Sequence, residues 1–265
     1  NQQVMADVAP ILQTLQSEMA VRAADFRAWE SLKTVVSSGN ERAPTPAEVT
    51  LHEQYVAAEA EYKIAEALHK VHDHNLRAMI GPHDGLEGAV NLIQVSGSES
   101  LDKAAFMAML TPPQLALCDE TKTSMKGKLT MHGSPPLKTL NPAVEAALKA
   151  AAASVTSKPG LANLTAAPLG LTSAIKDEHL LFLQSKRALK VAEWACLRLK
   201  AQLVAALGAD DAITGVITWK RTEETSTAFS PKLARKHFPN EYAACTTRGP
   251  NSVRVDFHEG RKYLP

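Results

Sequence analysis

Aromatic side chains are scarce in this sequence: they make up 5% of its 265 residues, although 45% of the residues are hydrophobic. Strands are enriched in aromatic and β-branched residues, so this scarcity disfavours a β-rich protein. Alanine is abundant, and it favours helix because it loses no side-chain entropy. The hydrophobic content is sufficient for one large core or two modest ones. We therefore expect a folded, mainly helical protein.

Cysteine is also rare. Cys118, Cys196 and Cys245 lie far apart, and no Cys-x-x-Cys pair occurs. An odd number of cysteines at these spacings indicates neither a disulfide framework nor a zinc site, and it favours a reducing compartment. No segment approaches the ~20 apolar residues of a membrane span, and the first residues lack the basic and then apolar pattern of a signal peptide. We therefore predict a soluble, cytoplasmic protein that does not contact a membrane.

The motifs that mark common enzymes are missing too, since there is no glycine-rich phosphate loop, no nucleophile elbow and no Ser/His or Cys/His arrangement. Asp102, Glu120 and Lys122 superficially match the carboxylates and lysine of Mg²⁺-dependent nucleases. That chemistry needs these residues on paired strands, whereas the segment Leu115–Lys122, which follows Pro113, is predicted to be helical. We therefore predict a protein that is not an enzyme and uses no cofactor, with a diverged nuclease as the second alternative.

Three long segments carry apolar residues at alternating steps of four and three, the spacing of a coiled-coil seam. They run from Val8 to about Val36, from Pro46 to the Gly81-Pro82 pair, and from Ser173 to about Leu207. Thr45 is suited to cap the second segment and Gly208 to end the third. Each segment is therefore predicted to be one long helix, and we expect the first two to pack antiparallel.

The remaining chain is less regular. Between the second and third long helices, we predict short helices at about 99–110, 113–124 and 141–155, separated by Pro-Pro pairs. After the third helix, we predict a strand from Ile213 to Lys220, a short helix over Pro231–His237, and a partner strand over Ser252–Phe257.

This pattern predicts a mainly α protein, a long-helix bundle or coiled-coil hairpin with a small α/β C-terminal tail. The predicted domains are a helical hairpin (1–82), an irregular region of short helices (83–172), and a long helix with a small basic α/β tail (173–265).

A group of histidines on the second helix could hold a metal ion. His69, His72 and Asp73 share one helix surface, and a further ligand such as His83 could complete a site for a divalent metal. Histidines on a coiled-coil seam are more often polar packing residues, and no second ligand pair has metal spacing. We therefore predict no metal and keep these residues as weak candidates.

Charge is distributed unevenly although the net charge is only +1. Residues 1–80 carry 7 basic and 11 acidic side chains, whereas residues 213–265 carry 9 basic and 5 acidic ones. Basic residues interleaved with aromatic ones suit a nucleic-acid backbone, although a small hairpin with an aromatic mini-core and solvated charges would have the same composition. The residues that we predict to bind DNA or a partner are Trp219, Lys220, Arg221, Lys232, Arg235, Lys236, Tyr242, Arg248 and Arg254.

The order of several segments is also distinctive. They are Leu199-Lys-Ala-Gln-Leu203, Gly215-Val-Ile-Thr-Trp-Lys220, Lys232-Leu233, Phe238-Pro-Asn-Glu-Tyr242 and Arg254-Val255. Over roughly residues 177–257, this order resembles the C-terminal region of YqaJ-type phage nucleases, the exonuclease partners of phage recombination systems. The catalytic core of that family, with its strand-borne Asp and Glu-x-Lys, has no counterpart in residues 1–172. The resemblance therefore implies a phage or prophage origin and a role in DNA transactions in a bacterial host cell, without nuclease activity.

The leading hypothesis is a non-enzymatic phage-type accessory protein. It would bind DNA, or a phage or host DNA-processing protein, through its basic tail, and would self-associate or dock as a subunit through its helices. The first alternative is a structural, assembly or inhibitor protein that acts through protein–protein contacts.

Overall fold

The computed structural model describes residues 24–81, 83–87, 89–155 and 167–257. Of these residues, 54% are helical and 20% lie in strands, which form four small sheets. The prediction of a mainly α bundle with a small α/β tail is therefore wrong, and the protein is an α/β mixture. The reason is that strands are also present in the middle of the chain, where only short helices were predicted.

Two long helices are confirmed. Helix α2 spans Pro46–Ile80 and helix α7 spans Ser173–Leu207. Thr45 and Glu48 cap α2 reciprocally, since each backbone N–H donates to the side chain of the other residue. Gly208 follows α7 with φ of +57°, a conformation that glycine adopts without strain. Within the described part of the chain, no helix is both long enough and apolar enough to cross a membrane.

Helix α1 covers residues 24–32 of the described chain, so the predicted first helix ends before Val36; its start at Val8 lies outside the described residues. Of the short helices, those predicted over Pro231–His237 and at 141–155 are confirmed. The remaining helices are α3 (Lys103–Ala108), α4 (Pro112–Ala116), α5 (Leu137–Leu140), α6 (Pro142–Ser154), α8 (Pro231–His237) and α9 (Pro239–Ala244).

The predicted helix at 113–124 is wrong beyond Ala116. The chain turns after α4 and continues as an eight-residue strand, Asp119–Lys126. The hydroxyl of Thr121 hydrogen-bonds to that of Thr227 at 2.8 Å, and Thr123 bonds to Thr225 at 2.9 Å. β-Branched threonines fit paired strands better than helix, so these cross-strand pairs explain the error.

Each of the four sheets joins at least one strand from the middle of the chain to at least one strand after α7. The strands are β1 (Glu41–Arg42), β2 (Gly85–Leu86), β3 (Val90–Val95), β4 (Glu99–Leu101), β5 (Asp119–Lys126), β6 (Thr130–Met131), β7 (Ala212–Ile213), β8 (Ile217–Thr218), β9 (Thr222–Phe229), β10 (Thr246–Arg248) and β11 (Ser252–Phe257). The sheet orders are β1-β7-β8-β6, β10-β4, β11-β3-β2 and β5-β9.

The tail differs from its prediction in two respects. The predicted strand from Ile213 to Lys220 is a tight hairpin of β7 and β8, and Gly215 allows its turn with φ of +75°. Strand β11 is confirmed, but its partner is β3, with Ser252 opposite Val95 and Phe257 opposite Val90 in an antiparallel register.

The chain folds into two compact units, and each unit combines segments that are distant in the sequence. Unit 1 contains Asn1–Glu66, Ser124–Pro142 and Arg187–Glu224. Its core joins the two long helices to the sheet of β7 and β8. The buried residues of this first core are Tyr55, Cys196, Leu203, Val204, Leu207, Ile213, Val216, Ile217 and Trp219.

Unit 2 contains Ala67–Thr123, Ala143–Lys186 and Thr225–Pro265. It has two cores, each of which packs helix against sheet. The second core contains Leu76, Ile80, Leu86, Ala89, Val90, Ile175 and Phe182, and the third contains Phe106, Cys118, Ala234 and Cys245. The division of the chain into consecutive domains at residues 82 and 172 remains a prediction.

Candidate nucleic-acid interface

Helix α8 presents three cationic side chains on its exposed side. Ala234 is fully buried in the third core, which fixes the inward side of the helix. Lys232, Arg235 and Lys236 are all exposed, and their spacing of three and four residues places them on one surface. The burial of Ala234 therefore orients these three cations toward solvent together.

A fourth cation joins this group through the sheet of β4 and β10. Arg248 lies directly opposite Glu99 in that antiparallel pair, so their side chains share one face. The guanidinium of Arg235 also contacts Glu99, with 3.0 Å between Nη2 and Oε2. Lys232, Arg235, Lys236 and Arg248 form what we call the basic face.

Glu99 is the carboxylate that the structure brings to this face, and it is more than half exposed. An exposed ion pair of this kind contributes at most about 1 kcal/mol, so it can be exchanged for another anion. Among the described residues, no carboxylate forms an ion pair with Lys232, Lys236 or Arg248. The basic face therefore has unneutralised positive charge.

Tyr242 borders the basic face. The Cζ atom of Arg235 lies 5.5 Å from the centroid of its ring. The ring also meets Phe106 edge to face at 6.0 Å, within the third core. Tyr242 is half-buried, and its ring thus helps to position the side chain of Arg235.

Arg254 belongs to another part of unit 2. It lies on β11, opposite Ile93 of β3, and is exposed, whereas Val253, Val255 and Phe257 are half-buried. This alternation places Arg254 on the face of the strand opposite to those three apolar residues. Because Val255 and Phe257 pack on the second core and α8 packs on the third, the structure does not join Arg254 to the basic face.

The segment Trp219-Lys220-Arg221 lies in unit 1. Of these three residues, only Lys220 is exposed. Trp219 is 6% exposed and Arg221 is 1% exposed. Burial lowers the pKa of the Arg221 guanidinium. The guanidinium donates to three backbone oxygens, those of Leu32 at 3.3 Å, Gly208 at 2.8 Å and Asp210 at 3.2 Å. Arg221 therefore stabilises the chain around the end of α7.

The nuclease candidates are engaged in local structure. Asp102 caps α3 by accepting a hydrogen bond from the N–H of Ala105 at 3.0 Å. Glu120 lies 2.9 Å from Lys122 on the same strand, and hydrogen bonds from Lys122 and Ser230 lower the pKa of its carboxyl. Glu120 and Lys122 thus lie on a paired strand, contrary to the helix prediction. Asp102 does not lie on that strand, and its carboxylate is occupied as a helix cap.

The histidine candidates also have local partners. His69 shares a hydrogen bond of 3.1 Å with the hydroxyl of Ser185, and burial lowers its pKa. His72 contacts Glu178 at 2.7 Å, while Asp73 binds Arg77 through two hydrogen bonds. Over the residues described, no three His, Cys, Asp or Glu side chains are grouped as a metal ion would require.

Sequence reasoning missed four residues that the structure places beside Trp219 and Arg221. Trp29, Lys33, Lys126 and Lys200 line one cleft of unit 1 with that pair. Trp29 and Lys33 lie four residues apart, which is a helical pairing that could have been noticed. Lys126 and Lys200 come from distant segments and gave no such signal.

The fold and its surfaces define an α/β protein with two compact units and an exposed basic face. A scan against protein-family models and searches of the curated proteins and the solved structures found no match to this chain. The resemblance to YqaJ-type nucleases therefore remains a prediction.

Proposed function

We propose that this protein binds nucleic acid through the phosphate backbone, with the basic face as its contact surface. The proposal is supported by one observation above all: the basic face carries four exposed cations, and within the described residues its one ion pair, between Arg235 and Glu99, is exposed and exchangeable. Arginine and lysine are the usual phosphate ligands in protein–DNA complexes, and such contacts position a protein without reading sequence. A role as an accessory protein in phage DNA transactions is part of the proposal and depends on the sequence resemblance.

The chemistry predicts how binding responds to salt. Each phosphate that a cation neutralises releases condensed counterions. Four contacts would give a slope of about −3.6 for log K against log salt on duplex DNA, and about −2.8 on single strands. An anion at the face would also compete with Glu99 for Arg235 and Arg248, so Glu99→Gln should strengthen binding.

A pair of double variants tests the proposal. Lys232→Glu/Lys236→Glu reverses two charges of the basic face without touching a buried side chain. Lys149→Glu/Lys190→Glu is the matched control, because both lysines are exposed and lie in ion pairs elsewhere on helices. Fluorescence anisotropy with labelled duplex and single-stranded 30-mers at two salt concentrations measures the affinity.

We expect Lys232→Glu/Lys236→Glu to bind at least about 10-fold more weakly than the natural protein. Its slope of log K against log salt should also be shallower by roughly 2. The control should bind within about 2-fold of the natural protein. Equal affinities of the two double variants, or no binding at low salt by the natural protein, would contradict the proposal.

The second candidate function is assembly through protein–protein contacts. Val191 is 73% exposed and Trp194 is 57% exposed, three residues apart on α7. Large apolar side chains that share an exposed surface often mark a contact site. This function predicts an oligomer whose mass, measured by light scattering, is insensitive to salt and falls in Val191→Glu; a monomer in the natural protein would eliminate self-association.

A further inference from the structure

Unit 1 contains a cleft of about 410 Å³ that the proposed basic face does not use. Its lining includes two tryptophans and four cations: Trp29, Trp219, Lys33, Lys126, Lys200 and Arg221. The rest of the lining is apolar or glycine, and no carboxylate lines the cleft, although the ammonium of Lys33 also forms an exposed ion pair with Glu30. We call this site the tryptophan cleft.

The cleft is assembled from four separate parts of the chain. Trp29 comes from α1, Lys200 from α7, Lys126 from the end of β5, and Trp219 from the residues after β8. Gly127 lets the chain after β5 pass close to this segment, since a Cβ there would lie 2.4 Å from the carbonyl oxygen of Lys220. Glycine at this position is therefore required by the close approach.

The cations are placed against the aromatic rings. The ammonium groups of Lys33 and Lys200 lie 5.9 and 5.5 Å from the centroid of the Trp29 ring. The Cζ atom of Arg221 lies 4.5 Å from the centroid of the Trp219 ring. A planar group that stacks at Trp29 would thus have two ammonium groups beside it.

Arg221 supplies an independent indication of a ligand. Its guanidinium is buried and donates to three carbonyl oxygens, yet its Nε atom has no hydrogen-bond partner among the described residues. A buried donor without an acceptor costs about 1–3 kcal/mol. Since Arg221 lines the cleft, this underused guanidinium adds its positive charge to that of the three lysines there.

We propose that the tryptophan cleft binds a nucleoside phosphate, with the base at Trp29 and the phosphate among Lys33, Lys126 and Lys200. The volume suits one nucleotide, since small-molecule pockets usually enclose about 300–1,000 Å³. Aromatic rings stack on any base, which gives affinity without sequence preference. Such stacking needs an exposed base face, so the cleft takes an unpaired nucleotide and rejects duplex.

The tryptophans themselves report binding, because all three tryptophans of the chain belong to unit 1. Trp194 does not line the cleft, so Trp194→Phe removes the background emission. In that protein, we would titrate AMP, a single-stranded thymidine hexamer and a blunt 12-base-pair duplex, and follow the quenching of Trp29 and Trp219. We expect quenching by the hexamer or by AMP, and none by the duplex at equal nucleotide concentration.

Lys126→Glu and Lys128→Glu form a matched pair, because both lysines are exposed, two residues apart, and only Lys126 lines the cleft. We expect Lys126→Glu to weaken binding about 10-fold and Lys128→Glu to leave it within about 2-fold. Trp29→Leu should also weaken it about 10-fold. If circular dichroism shows that Trp29→Leu does not fold, the comparison of Lys126→Glu with Lys128→Glu tests the proposal alone.

The result also identifies the source of the nucleotide. Binding of the hexamer alone indicates a strand, and equal binding of AMP indicates a free nucleotide. No quenching by either, or equal loss in both lysine variants, would overturn the proposal. The Lys232→Glu/Lys236→Glu protein should keep its quenching, so a failure of the basic face is distinguished from a failure of the cleft.

Discussion

A cluster around Glu48 predicts how the stability of unit 1 depends on pH. The carboxylate accepts two hydrogen bonds from Arg42, at 2.6 and 2.9 Å, and two from Thr45 at the start of α2. Arg42 also binds Asp210, 3.0 Å away, and the carbonyl oxygen of Ala206. Glu48 therefore links β1, the first turn of α2 and the end of α7.

These contacts lower the pKa of Glu48 to about 2, chiefly through the hydrogen bonds from Arg42. In the unfolded chain, the carboxyl has its ordinary value of 4.5. A difference of about 2.5 in pKa corresponds to roughly 3 kcal/mol of unfolding free energy. Because the Arg42 side chain is 33% exposed, solvent screening reduces this to about 2 kcal/mol.

The direction of the pH dependence follows from the lowered pKa of Glu48. A carboxyl that is more acidic in the folded state stabilises the protein fully above pH 4.5, and this contribution is lost as the pH falls toward 2. Glu48→Gln should therefore lose about 2 kcal/mol at pH 7, and the difference from the natural protein should shrink below pH 4.5.

Urea unfolding followed by tryptophan fluorescence measures this difference, because the three tryptophans all lie in unit 1. Measurements at pH 3, 4, 5 and 7 would cover the upper part of this transition. Glu30→Gln is the control, since its ion pair with Lys33 is exposed and should contribute under about 0.5 kcal/mol. A Glu48→Gln difference that stays constant from pH 3 to pH 7 would refute the assignment of this carboxyl.

Three further substitutions test the packing. Arg221→Met should cost roughly 2–4 kcal/mol because it leaves buried carbonyl oxygens unpaired; Lys220→Met is its exposed control in the same fluorescence assay. Phe182→Ala should cost about 3–5 kcal/mol, since the ring is 3% exposed and stacks 4.4 Å from Phe257; hydrogen exchange of β3 and β11 would report it. Gly215→Ala should lower the free energy of unfolding by about 1 kcal/mol, because residue 215 has φ of +75°. Urea unfolding measures this, and a neutral result would show that the β7–β8 turn relaxes.

The helices were predictable because their signals are local. Pro46 and the cap at Thr45 mark the start of α2, and Gly208 marks the end of α7 within one residue. The error at α4 is instructive, since Thr111 and Gln114 form a true capping box. A helix start was therefore correctly indicated there, but nothing local indicated that the helix would stop at Ala116.

The sheets were not predictable because their partners are remote. Strand β3 has six residues, and its neighbour in the sequence, β2, pairs with only two of them, Val90 and Asn91. Its partner β11 lies beyond the whole of α7, and only the folded chain brings Val255 opposite Leu92. Pairings of this range are decided by packing, which the pattern of one strand does not contain.

The same reasoning applies to the sites. Composition correctly indicated that positive charge accumulates after residue 213. It did not indicate which of these charged side chains lie close together in the folded protein. Arg235 and Arg248 become neighbours only because β10 pairs with β4 and both arginines then meet Glu99, a residue from the middle of the chain. Trp219 and Arg221, which looked equivalent to them in the sequence, are instead buried beside Trp29. The tail is therefore not a free basic arm: Arg235 and Arg248 belong to one surface and Arg221 to another, and each surface needs residues from elsewhere in the chain.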